Sequence, residues 1–92
     1  MYYLSYHKDI VSDLKKIGKR EALIIKQALE KKLLVDPILF GKPLRYSLQG
    51  LRSLRVGNYR VVYLINDEKI FIAAIVHRSK VYDKSEKRYG QL

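Results

Sequence analysis

The chain contains no cysteine and no tryptophan, only two prolines and one methionine. Without cysteine it has no disulfide framework, no thiolate metal site and no cysteine nucleophile, a composition suited to a reducing cytosol. Acids are scarce as well: nine Asp and Glu stand against nineteen Lys and Arg, for a formal net charge of +10. Such a balance implies an anionic partner (nucleic acid, an acidic protein or an anionic surface) or, at the least, solubility. No charge-free window is long enough to span a bilayer. The start, "MYYLSYHKD", lacks the basic region and long apolar stretch of a signal peptide. The expectation is a soluble cytoplasmic protein with no membrane partner.

What is present is a chain of 92 residues with 48% hydrophobic content. That is enough for one folded domain over 1–92 and too little for a second core. The excess charge is uneven. Residues 1–41 carry eight Lys/Arg and five Asp/Glu, whereas residues 42–92 carry eleven and four.

Tyr2–Tyr6 reads as a short strand, aromatic and free of helix formers. Ile10, Leu14 and Ile17 fall on one helical face, with Asp9, Asp13, Lys15 and Lys16 elsewhere, and Gly18 breaks the pattern. Glu21–Leu34 reads as a longer helix with Ile25, Ala28, Leu29 and Leu33 along one face, stopped by Asp36-Pro37. "FGKPLRYSLQG" is a loop. Strands follow over Leu51–Val56, Tyr59–Ile65 and Lys69–His77, joined by turns at Gly57-Asn58 and Asn66-Asp67. Short connections make these neighbours antiparallel. The expected fold is α+β: an N-terminal strand and a helical hairpin packed on a curved antiparallel sheet, ending in a short charged tail or helix.

Strand alternation sorts the charges. Leu54 and Val56 share a face opposite Ser53 and Arg55. Arg60, Val62 and Leu64 lie opposite Tyr59, Val61, Tyr63 and Ile65. Strict alternation in the last strand sets Ile70, Ile72, Ala74 and Val76 against Phe71, Ala73, Ile75 and His77. A tight hairpin brings Arg55 beside Arg60, and the far end of the third strand returns Arg78 to their neighbourhood, with Tyr82 following. Either each arginine reaches separately into water, or the three form a site for a phosphate; spacing leaves both readings open. His77 points away from Arg78 and reads as a packed, hydrogen-bonded residue and a weak candidate acid. His7 reads as a surface or capping residue, and two histidines so far apart make no metal site. The run Lys15, Lys16, Lys19 and Arg20 is a solvated turn or a docking patch for nucleic-acid phosphates.

"LRSLRV", "VGNYRVVY" and "VHRSKVY", preceded by a helical hairpin, resemble the RelE/ParE superfamily of toxins from toxin–antitoxin pairs, over essentially the whole chain. On the RelE side the resemblance implies a ribosome-dependent mRNA endoribonuclease with no cofactor and no metal. Its partners would be the ribosome, mRNA and a cognate antitoxin. It implies that Arg60 and Arg78 contact the scissile phosphate and that Tyr82 activates the attacking 2′-hydroxyl or stacks on a base. Arg55 falls on the second basic position of a pair, and Ser53 occupies the first. Arg52, Lys80 and Lys84 are expected to contact RNA. The ParE side of the resemblance implies instead a DNA gyrase inhibitor without nuclease activity.

Overall fold

A computed structural model describes residues 1–82, 87 and 88. β1 (Tyr3–Tyr6) leads into α1 (Ile10–Ile17), and after Gly18 comes α2 (Lys19–Ala28). The helix continues through one wider π-helical turn, Leu29–Leu33, in which the Leu34 N–H reaches back to Leu29 O at 3.0 Å. Leu29 and Leu33, four residues apart, are both on the buried side. Asp36 then caps α3 (Pro37–Phe40), its Oδ1 accepting from Ile38 N–H at 3.2 Å and Leu39 N–H at 3.0 Å, with Pro37 in the first helical position. β2 (Lys42–Pro43), a 3₁₀ turn (Tyr46–Leu48), β3 (Arg52–Val56), β4 (Tyr59–Asn66), β5 (Lys69–His77) and a second 3₁₀ turn (Arg78–Lys80) complete the order.

The five strands form one sheet in the order β1-β5-β4-β3-β2. β2 to β5 are antiparallel, as short turns require; Gly57 supplies a φ of 61° at the β3–β4 hairpin, where a left-handed residue matches the strand twist. β1 departs from the expected all-antiparallel sheet. It lies parallel to β5, Tyr3 opposite Lys69 and Tyr6 opposite Ile72. Only tight turns force antiparallel pairing, and the whole helical hairpin separates β1 from the strands that follow.

The helices cover one face, where Ile10, Ile25, Leu29 and Leu33 pack on Leu54, Val61, Tyr63, Ile70, Ile72 and Ile75. Tyr63 is fully buried and donates its hydroxyl to Pro37 O at 2.6 Å; burial raises its pKa, against the opposing pull of Arg52, so the phenol stays a donor. Gly41 makes room for it, since a Cβ at 41 would overlap the Tyr63 hydroxyl and sit 2.7 Å from ring Cζ. The second face has its own core: Leu48, Leu51, Val62, Ala73, Ala74, Val76 and Val81. It is closed by the loop after β2 and by Val81, not by helices.

The alternation expected for β5 fails at one point. Val62 pairs with Ala74 and Tyr63 with Ile72, so Ala73 is an extra residue, a β-bulge. The bulge resets the period. Ile70, Ile72 and Ile75 therefore all face the helices, while Ala73, Ala74 and Val76 face the other core.

β1 ends at Tyr6, so the β5 edge beyond Ile72 has no neighbouring strand. Asp13 of α1 takes over there: its Oδ2 accepts from Ile75 N–H at 3.0 Å. Arg88 lies across the same edge. It donates to Asp13 Oδ2 at 2.6 Å and Oδ1 at 2.9 Å, and to Ala73 O at 3.1 Å. Both side chains are buried, and the Asp13 carboxylate raises the Arg88 pKa against the opposing effect of burial. Asp13 was assigned off the buried helical face, yet it is 2% exposed. Beyond β5, Val81 is buried and Arg88 is held by this pair.

Candidate functional site

Directly opposed residues of an antiparallel pair share a face. On the face away from the helices this produces two cross-strand rows. One runs Lys42–Ser53–Val62–Ala74, the other Arg55–Arg60–Val76. Arg55 and Arg60 are thus register partners, two like charges face to face, an arrangement that destabilises a sheet without a counterion. Arg55 Nε donates to Gly57 O at 3.3 Å, and half-buried Arg60 donates from Nη1 to Ser53 Oγ at 3.1 Å. Arg78 is exposed, and its N–H is tied to Asn58 O at 2.9 Å, which places it at the hairpin end beside that row. Among the described residues no carboxylate pairs with Arg55, Arg60 or Arg78.

Tyr82 follows buried Val81 and is 39% exposed. Its hydroxyl accepts from the Arg45 N–H at 3.3 Å. Arg45 lies just beyond Leu44, whose N–H bonds Leu51 O at 2.9 Å and extends the β2–β3 pairing. The tyrosine hydroxyl therefore stands at the β2 end of this face. The Lys42–Ser53 row lies between it and the arginine row, and Arg60 leans into that middle row through Ser53.

Two other residues take different places from those expected of them. Arg52 is on the helix-covered face, opposite Tyr63, and donates from Nη2 to Ile38 O at 2.7 Å and Gly41 O at 2.8 Å. Alternation puts it with Leu54 rather than Arg55, where it holds the end of α3. His77 is exposed rather than packed in a core. Its Nδ1 accepts from Ser79 N–H at 3.3 Å and lies 2.9 Å from Ser79 Oγ, and its ring meets Tyr59 edge-on at 5.9 Å. The bulge leaves it on the Ile75 side, away from Arg60.

Lys80 is exposed in the 3₁₀ turn with Arg78, and Lys84 lies outside the described residues. His7 is buried, and its Nδ1 accepts from Asp9 N–H at 3.0 Å in the turn before α1. Lys15, Lys16, Lys19 and Arg20 are all exposed. Lys42 lies in a segment expected to be loop, and its two-residue pairing with β3 leaves no periodic trace in the sequence. The signal of the Asp13–Arg88 pair is an acid at the third position after Ile10 in an apolar stripe.

An apolar groove of about 460 Å³ lies elsewhere, between β1 and the helical hairpin, lined by Tyr6, Val11, Leu14 and Leu23. Lys26 and His7 also border it, but it lacks the arginine cluster of the sheet face. Among the described residues no group of side chains can hold a metal ion, and no helix is long and apolar enough to cross a membrane.

Residues 4–82 match the family described as the ParE toxin of the type II toxin–antitoxin system parDE. The toxin RelE of Mycobacterium tuberculosis is 36% identical over 83 residues, covering 88% of this chain and 86% of that protein. The toxin RelE3 of Methanocaldococcus jannaschii is 33% identical over 82 residues, covering 85% and 92%. Among solved structures, the RelBE2 toxin–antitoxin complex of M. tuberculosis contains a chain similar at a TM-score of 0.77 and 32% identity, over 84% of this chain and 98% of that one. The isolated RelE toxin of Escherichia coli shares the fold at a TM-score of 0.69. With its α+β fold, its helical hairpin and its cationic sheet face, this chain belongs to the RelE/ParE family of type II toxin–antitoxin toxins.

Proposed function

We propose that this toxin is a ribosome-dependent mRNA endoribonuclease, working without metal and held in check by a cognate antitoxin. The observation that carries the reading is the Arg55–Arg60 register pair with Arg78 beside it and no carboxylate among the described residues to neutralise them. Such a cluster is stabilised by an anion, and the planar guanidinium fork matches two phosphate oxygens at once.

In the reaction the RNA's own 2′-oxygen attacks the adjacent phosphorus. The P–O5′ bond breaks, leaving a 2′,3′-cyclic phosphate and a free 5′-hydroxyl. No water enters that step. Arg60 and Arg78 stabilise the negative charge that grows on the phosphorane and hold the attack in line. Arg55 offsets the same charge from the opposite strand. The Tyr82 oxygen accepts from the Arg45 N–H, which fixes the phenol at the edge of the site, where it meets the 2′-hydroxyl or stacks on a neighbouring base. An acidic antitoxin segment laid over Arg55, Arg60 and Arg78 would block all of this, and the net charge of +10 favours such a partner.

The test is to express the toxin alone and map mRNA 5′ ends in translation extracts with and without ribosomes. New cleavages confined to translated frames are expected, lost in Arg60→Ala and in Arg78→Ala. Because the matching family is described by its ParE toxin, the same preparations are assayed on gyrase. Intact mRNA together with inhibited supercoiling would replace this reading with the gyrase one.

A further inference from the structure

The middle row of the cationic face is headed by Lys42, which no role has yet claimed. Its register partner is Ser53, the residue whose hydroxyl accepts from Arg60. Opposed residues of an antiparallel pair stand about 5 Å apart at Cα. Lys42 is therefore one strand spacing from the point at which the Arg60 guanidinium is held, on the same face. The row it occupies lies between the arginine row and the end of the face where the Tyr82 hydroxyl sits. Ser53 is buried and brings no charge to the centre of the site. Lys42 is exposed, and no carboxylate among the described residues pairs with it.

Its backbone is fixed from both sides. Gly41 is seated against the Tyr63 ring, and Leu44 is bonded to Leu51. A flexible side chain on a fixed strand reaches a bound anion with less loss of order than one on a free loop.

We propose that Lys42 is a substrate-contacting cation of the nuclease site, binding the scissile phosphate beside Arg60 in place of a charge that position 53 does not supply. This rests on the endoribonuclease reading. A lysine ammonium is a compact point charge, so its role depends on location more than on angle. That makes it transferable between register partners: a lysine at 53 should do the work of a lysine at 42.

The experiment compares wild type, Lys42→Ala, Lys42→Arg and the double variant Lys42→Ala/Ser53→Lys in cleavage of ribosome-bound mRNA. Lys42→Ala is expected to lose about ten- to a hundredfold in rate at unchanged Tm. Lys42→Arg should stay within about threefold of wild type, and the double variant should regain most of the loss. Cleavage by Lys42→Ala at the wild-type rate, or a loss that neither lysine at 53 nor arginine at 42 recovers, overturns the proposal. A second measurement separates this from failure of the parent reading. Binding to a single-stranded RNA carrying 2′-O-methylribose at each position, which cannot be cut, is followed against salt. Losing one phosphate contact should lower the slope of log affinity against log salt by about 0.7 in Lys42→Ala. An unchanged slope overturns the assignment of Lys42 even if wild type proves not to cleave; wild type failing to cleave with the slope lowered overturns only the nuclease reading.

Discussion

The two faces of the sheet use arginine in opposite ways. On the helix-covered side and its edge two guanidiniums are engaged by structure: Arg52 by the carbonyls of Ile38 and Gly41, Arg88 by Asp13 and the carbonyl of Ala73. On the other face Arg60 has one serine hydroxyl, Arg55 one carbonyl, and Arg78 only its backbone bond to Asn58. The same residue type is a fastener on one side and an open donor array on the other. What distinguishes them is whether carbonyls and carboxylates were brought to meet them. Charge counted along the chain does not separate the two groups; partners do.

The largest effect should come from breaking a fastener. Asp13→Ala leaves Arg88 buried without its carboxylate and Ile75 N–H without its acceptor. It should lower unfolding stability by about 3–5 kcal/mol, read from urea midpoints. Arg60→Ala should do the reverse, lowering cleavage of ribosome-bound mRNA by about a hundred- to a thousandfold while leaving the urea midpoint close to wild type. If Arg60→Ala unfolds the protein instead, the contrast between the faces collapses.

Arg52→Met tests the same contrast from the other side. It should cost about 1–3 kcal/mol in stability as two α3 carbonyls lose a charged donor, with cleavage per folded molecule within about threefold of wild type. Smallest of all, Tyr82→Phe removes the acceptor for Arg45 N–H. It should reduce stability by about 0.5–1.5 kcal/mol and slow cleavage by about tenfold, at the low end of what a positioned proton-transfer group contributes. A rate unchanged by Tyr82→Phe would leave the ring as a stacking surface only.

Much of this division was legible beforehand, because it depends on periods of two. Alternation in β3 and β4 placed Arg55 and Arg60 together, and followed one step further it would have placed Arg52 behind them with Leu54. β5 was not legible past Ala73. A bulge is a mismatch between two strands, and two consecutive alanines give no pattern from which to see it. The parallel pairing of β1 was hidden for a similar reason, since nothing local in Tyr3–Tyr6 names a partner more than sixty residues away. Lys42 was hidden by brevity: two paired residues make too short a strand for any periodicity. The Asp13–Arg88 pair spans 75 residues and leaves only the trace of an acid in an apolar stripe. Positions set by long-range closure were hidden from the sequence, and positions set by alternation in β3 and β4 were legible in it.

That long closure has a consequence for the life of the molecule. Chains fold from the N-terminal side as they are synthesised, and the pair joining α1 to the tail cannot close until residue 88 has been added. Tyr82 and Arg78 likewise take their places only after the sheet they rest on exists. An enzyme proposed to attack translation therefore reaches its working form only after residue 88 has been made.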